Sequence, residues 1–137
     1  MTAPMLATVR PPALGRILLC ALLVVMAGCT KPAPPPELER EMAVQFATLP
    51  ALPDSKEIGR KFLYKNGEFL LEVTYDAPTY RYSYDWGRSW GNDVWKYKAT
   101  ISEAHFHLYV KDGWQVTLRN GYKPGKVILL LYRNHDS

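Results

Sequence analysis

Hydrophobic and polar positions change rhythm along this chain. Ile17 to Ala27 is an unbroken apolar run of 11 residues, too short to cross a bilayer, which takes about 20. Thr30 to Pro36 reads Thr-Lys-Pro-Ala-Pro-Pro-Pro, a polyproline-type tether. From Glu37 to Leu49 the apolar residues Leu38, Met42, Phe46 and Leu49 give an imperfect helical stripe, with Val44 off it. Glu37, Glu39 and Glu41 lie near its start, where acids suit the helix dipole. One short helix is predicted, ended by Pro50, Pro53 and Asp54.

Beyond Arg60 the period becomes two, and turn signals bound each run. Phe62 to Lys65 meets Asn66-Gly67, a strong hairpin signal. Phe69, Leu71, Val73 and Tyr75 alternate with Glu72 and Thr74, and Ala77-Pro78 turns the chain. Tyr80, Tyr82, Tyr84 and Trp86 alternate with Arg81, Ser83 and Asp85, which predicts a third strand. Trp95, Tyr97, Ala99 and Ile101 form a fourth. Phe106, Leu108 and Val110 form a fifth, its core face set opposite His105, His107 and Tyr109. After Asp112-Gly113 come Trp114, Val116 and Leu118. Asn120-Gly121 and Lys123-Pro124-Gly125 lead to Val127–Tyr132, apolar on both faces and suited to a central place. The prediction is a mainly β domain: an antiparallel meander of about seven strands curled into a small barrel or half-barrel, with one short helix before it. With 16 aromatics between Phe62 and Tyr132, one core is feasible without staples.

The N-terminal segment changes the setting. Residues 1–16 hold Arg10 and Arg16 and no acid, and small residues close the apolar run, the pattern of an export signal. Its end, Met26-Ala27-Gly28-Cys29, resembles the lipobox of bacterial lipoproteins, with Met in place of the usual Leu. The resemblance implies a signal peptide over 1–28, lipid on Cys29, a tether over 29–36 and a periplasmic domain over 37–137. Thr30 rather than Asp after the cysteine implies the outer membrane. Several acyl chains anchor far more firmly than one, at about 0.8 kcal/mol per buried CH₂. Cys20 would leave with the signal and Cys29 would carry lipid, so the domain has no thiol for catalysis, metal or disulfide.

Charge alters little. Of 17 Lys and Arg, two lie in the signal, leaving 15 against 13 acids with signs interspersed. That balance does not imply nucleic acid. The meander, with its Asn-Gly first hairpin, aromatic third strand and Trp95-Lys96-Tyr97, also resembles small lipocalin-like barrels such as the phenolic-acid decarboxylase and molybdenum-cofactor biosynthesis protein F-like families. That resemblance implies a barrel and carries no catalytic residue across.

Candidate chemistry is sparse. His105 and His107, two apart on a strand, point to one face and would hold a metal only if His135, Asp85 or Glu103 arrived; solvated histidines are the simpler reading. Carboxylates are scattered, and no nucleophile elbow or phosphate loop is present. No enzyme activity, cofactor or metal is expected. The segment Trp86–Asp93 stands out: Trp86, Arg88, Trp90 and Asp93 lie among glycines, and Trp and Arg are enriched where proteins bind each other. Trp86 ending the third strand and Trp90 folding back to cap the barrel end is the structural alternative. Tyr80, Tyr82 and Tyr84 form a one-face stripe that lines the core or a small-ligand pocket. The expectation is a lipid-anchored periplasmic protein that meets the membrane through its anchor and binds a protein partner. An immunity or inhibitor protein that occludes an envelope-targeting toxin or hydrolase fits best. An accessory of an envelope secretion or transport assembly, or a lipocalin-like small-ligand binder, is the alternative.

Overall fold

The computed structural model describes residues 32–135. The signal, the lipobox and Cys29 lie outside them. Ala33–Ser137 forms one compact unit.

Helix α1 spans Pro36–Ala47, with proline at its first position and Glu37 and Glu39 in its first turn. Six strands follow: β1 Lys56–Lys65, β2 Glu68–Asp76, β3 Lys96–Ile101, β4 Phe106–Lys111, β5 Trp114–Asn120 and β6 Lys126–Arg133. A six-residue helix, α2 Tyr84–Ser89, lies between β2 and β3. All strands belong to one antiparallel sheet in the order β1-β2-β6-β5-β4-β3. β1 and β3 are free edges, so the sheet is open and not a closed barrel. β6 sits in the middle, between β2 and β5, and its two-faced apolarity suits that place.

The third predicted strand does not exist. Tyr80 and Tyr82 do turn inward while Arg81 and Ser83 stay exposed, but they pair with no strand. The chain instead crosses the inner face of the sheet. Ser83 then caps α2, its hydroxyl accepting from Trp86 N at 3.2 Å. With that strand gone, six remain and β1 never meets β3.

Register defines two faces. The inner face carries Phe62, Leu71, Val73, Val127, Leu129, Leu131, Val116, Leu118, His107 and Tyr109. Met42 of α1, fully buried, joins this core. Leu38, Phe46 and Leu49 pack against it half-buried. At the rim, Lys111 Nζ donates to Gln45 Oε1 at 2.6 Å, and Arg133 pairs with Glu41. The outer face carries Leu63, Leu70, Leu108, Ile128 and Leu130 among Lys61, Glu72 and Arg119.

In β4 the structure reverses the expected sidedness. His107 and Tyr109 face the core, and Phe106, Leu108 and Val110 face outward. Both rows are apolar enough to be buried, so alternation alone could not tell which is inside. A bulge between Tyr97 and Ala99 also changes the side of β3, leaving Tyr97 opposite Tyr109 and Thr100 opposite His107.

Candidate functional site: a surface built on an aromatic and histidine cluster

The crossing segment from Ala77 to Trp95 is held by hydrogen bonds at successive points. Ala77 N donates to Gly125 O at 2.7 Å. Tyr80 Oη donates to Leu118 O at 3.3 Å, and Tyr82 Oη to Ile101 O at 2.9 Å. Tyr109 Oη reaches up from β4 to the Gly87 carbonyl of α2 at 2.6 Å. Trp90 Nε1 donates to Ala51 O at 3.2 Å. Asn92 Oδ1 accepts from Trp95 N at 2.6 Å and from Val94 N at 2.9 Å, a side-chain turn that leads into β3. Burial pushes the Tyr80 and Tyr109 hydroxyls well above their ordinary pKa of 10.0. Both therefore remain protonated donors.

His107 lies at the centre, with no solvent exposure. Its ring stacks with Tyr82 (5.2 Å between centroids, 25°) and Trp86 (5.9 Å, 23°) and meets Tyr80 edge-on at 5.9 Å. Nδ1 is 2.9 Å from Thr100 Oγ1, which lies 2.6 Å from Tyr97 Oη. Nε2 is out of contact with water and has no partner of hydrogen-bonding geometry. Burial holds the His107 pKa below its ordinary 6.5, and the backbone of Arg81 opposes that shift. α2 lies directly over this ring. A Cβ on Gly87 would sit 2.7 Å from His107 Cε1 and 2.9 Å from Cγ, closer than carbon atoms approach, so the helix needs glycine there.

This cluster does not offer an imidazole to a substrate. His105 is not its strand-mate. It lies in the turn before β4, exposed, at φ 55°, and meets Tyr82 edge-on at 5.5 Å. The two histidines therefore do not project side by side from one solvated face. His135 Nε2 contacts the Glu68 carboxylate beside the β1–β2 turn. Among the described residues no group of three or more His, Cys, Asp or Glu is arranged to hold a metal.

The four residues singled out in the sequence divide between core and surface. Trp90 is 5% exposed and meets Tyr109 edge-on at 4.7 Å. Trp86 is half-buried, edge-on to Tyr80 at 4.6 Å. Arg88 is exposed, with its guanidinium 5.4 Å from the centre of the Tyr84 ring. Asp93 is exposed at the end of an open groove that also borders Val94, Lys96, Lys98 and Lys111. Tyr84 and Val94 are surface groups that the sequence reading did not select; they are 57% and 45% exposed. The signal for Tyr84 was present, because Ser83 as a helix cap places Tyr84 and Arg88 four apart on one helical face.

Comparison with protein-family models, with curated proteins and with solved structures finds no match for this chain.

Proposed function

We propose that this protein is a lipid-anchored protein of the bacterial envelope that acts by binding another protein, and that it blocks an envelope-directed toxin or hydrolase by occlusion. The observation that carries the binding reading is the Tyr84–Arg88 pair. Both side chains stand at the surface, in contact with each other, on a short helix fastened from below. Tyr and Arg are the residue types that contribute most to protein interfaces. A fixed platform reduces the entropy lost when they are captured. Asp93 and Val94 extend the same surface toward the free β3 edge. The buried Trp90 and half-buried Trp86 support this surface from beneath. The small-ligand alternative has less behind it, because Tyr80 and Tyr82 use their hydroxyls within the fold.

The anchor reading rests on Met26-Ala27-Gly28-Cys29 and the proline tether. It predicts palmitate labelling that Cys29→Ser abolishes, together with release from the membrane fraction. Labelling that survives the substitution would remove the anchor. For binding, the full chain serves as bait in an envelope extract. One toxin or hydrolase retained in equal proportion, and inactive while bound, is the expected result. Arg88→Ala and Tyr84→Ala should each then weaken the complex by about 2 kcal/mol without lowering the melting temperature. Capture of a set of secretion or assembly proteins would favour the accessory reading. Unchanged affinity in both variants would move the contact away from α2.

A further inference from the structure

The outer face carries a feature that the α2 surface does not use. Where β5 ends and β6 begins, Ile58, Lys61, Arg119, Tyr122, Lys123 and Lys126 border an open groove of about 520 Å³. Two of its cations are already engaged: Lys61 lies 3.6 Å from Glu72, a carboxylate that also lines the groove, and Lys126 lies 3.1 Å from Asp76. Arg119 and Lys123 have no ion pair among the described residues. Arg119 Nε is also out of contact with water and has no hydrogen-bond partner. A charged donor left this way is costly to the fold.

The groove's mouth is equally unused by the fold. Tyr122 is 97% exposed and Ile58 50%. The loop that presents Tyr122 is nonetheless well defined. Gly121 N donates to Lys126 O at 2.7 Å and Lys126 N to Lys123 O at 3.2 Å, and Gly125 takes φ 75° to close the turn.

We propose that this groove binds a phosphoryl group, held by Arg119 and Lys123, with Tyr122 lying against the body that carries it. The two free cations match the charge of a phosphate, roughly −1.5 to −2 at neutral pH, better than that of a single carboxylate. The guanidinium supplies the forked donors that bind phosphate oxygens in pairs, and the ammonium adds a point charge. A free phosphate monoester carries that charge; an anionic phospholipid headgroup is a diester with a single charge and shares only the phosphoryl oxygens that the guanidinium fork binds. The groove lies on the opposite face of the sheet from α2, so it stands or falls independently of the partner-binding reading.

The test uses the full chain in a phosphate-free maltoside detergent, followed by backbone amide shifts. Two probes are added at constant ionic strength: inorganic phosphate, and phosphatidylglycerol mixed into the micelles. Saturable shifts confined to Arg119, Gly121, Tyr122 and Lys126 are expected. Arg119→Gln should weaken binding by about tenfold or more, and Lys123→Gln by about threefold. A response to inorganic phosphate identifies a free phosphate ester. A response to phosphatidylglycerol alone identifies a lipid headgroup. No saturable shift with either probe overturns the proposal. So does undiminished affinity in Arg119→Gln whose spectrum elsewhere is unchanged. Should that variant fail to fold, Lys123→Gln on the exposed loop decides: full affinity there overturns the proposal.

Discussion

The inner face of the sheet is covered in two ways. Under α1 the core is largely aliphatic: Met42 shares it with Leu71, Val73, Leu129 and Leu131, and Phe46 packs against it. The polar ties of α1 lie at its margins, as in Glu41–Arg133 at the surface, where an exposed ion pair contributes little. Under the crossing segment, on β3 to β5, the contacts are aromatic, and the rings are tied by name to particular carbonyls and hydroxyls. Burial of aliphatic surface is non-directional and about equal for residues of similar volume. A ring with one hydrogen bond and one edge-on neighbour has a single good position. The first half is thus held with loose specification, and the second is held in one arrangement.

That contrast can be broken most directly at its two anchors. Trp90→Ala removes a nearly buried ring and orphans the Ala51 carbonyl, and it should lower unfolding free energy by about 3–5 kcal/mol. Met42→Leu keeps the volume and should cost less than about 1.5 kcal/mol. Urea melts of the two variants decide, and equal losses would erase the distinction.

A smaller effect sharpens the contrast through pH. His107 is neutral in the fold because burial lowers its pKa, whereas the unfolded chain titrates near 6.5. The unfolded state therefore binds the extra proton first. The stability that the neutral ring contributes is fully present above pH 6.5 and is lost as pH falls from there through the lower folded value. Within that window the slope is at most one proton, about 1.4 kcal/mol per pH unit. His107→Gln should flatten the slope between pH 7 and 5. A slope unchanged by the substitution would mean that the ring reaches solvent.

Turn chemistry made much of the sheet legible in the sequence. Asn66, Gly67 and Gly113 take positive φ where the strands reverse, so the first hairpin and the β4–β5 hairpin could be placed residue by residue. The central place of β6 was legible from its apolar residues on both faces, Val127, Leu129 and Leu131 inward and Ile128 and Leu130 outward. The crossing segment was not. Alternation at Tyr80 and Tyr82 arises equally from a paired strand and from an extended chain lying on a sheet, and only a partner strand distinguishes them. His107 was hidden for a related reason. A histidine among alternating apolar residues reads as the solvent side, and it takes Tyr82, Trp86 and a glycine from a distant stretch of chain to make its burial tolerable. Of the four residues singled out, Arg88 and Asp93 are exposed, Trp86 is half-buried and Trp90 is buried.

The strand order also sets a sequence of events in time. β3 to β6 form a meander of neighbouring pairs, and β1–β2 is a single hairpin. Local pairings of this kind close small loops quickly. The seam between β2 and β6 joins Asp76 to Lys126 across about fifty residues. Its closure entropy must be met before its contacts form, so the meander and the hairpin are expected to form first and to dock late. Until they dock, the hydrogen-bonding edges of β2 and β6 are both open, and Val127–Leu131 is an unshielded apolar strand. That interval is when a chaperone would have most to cover.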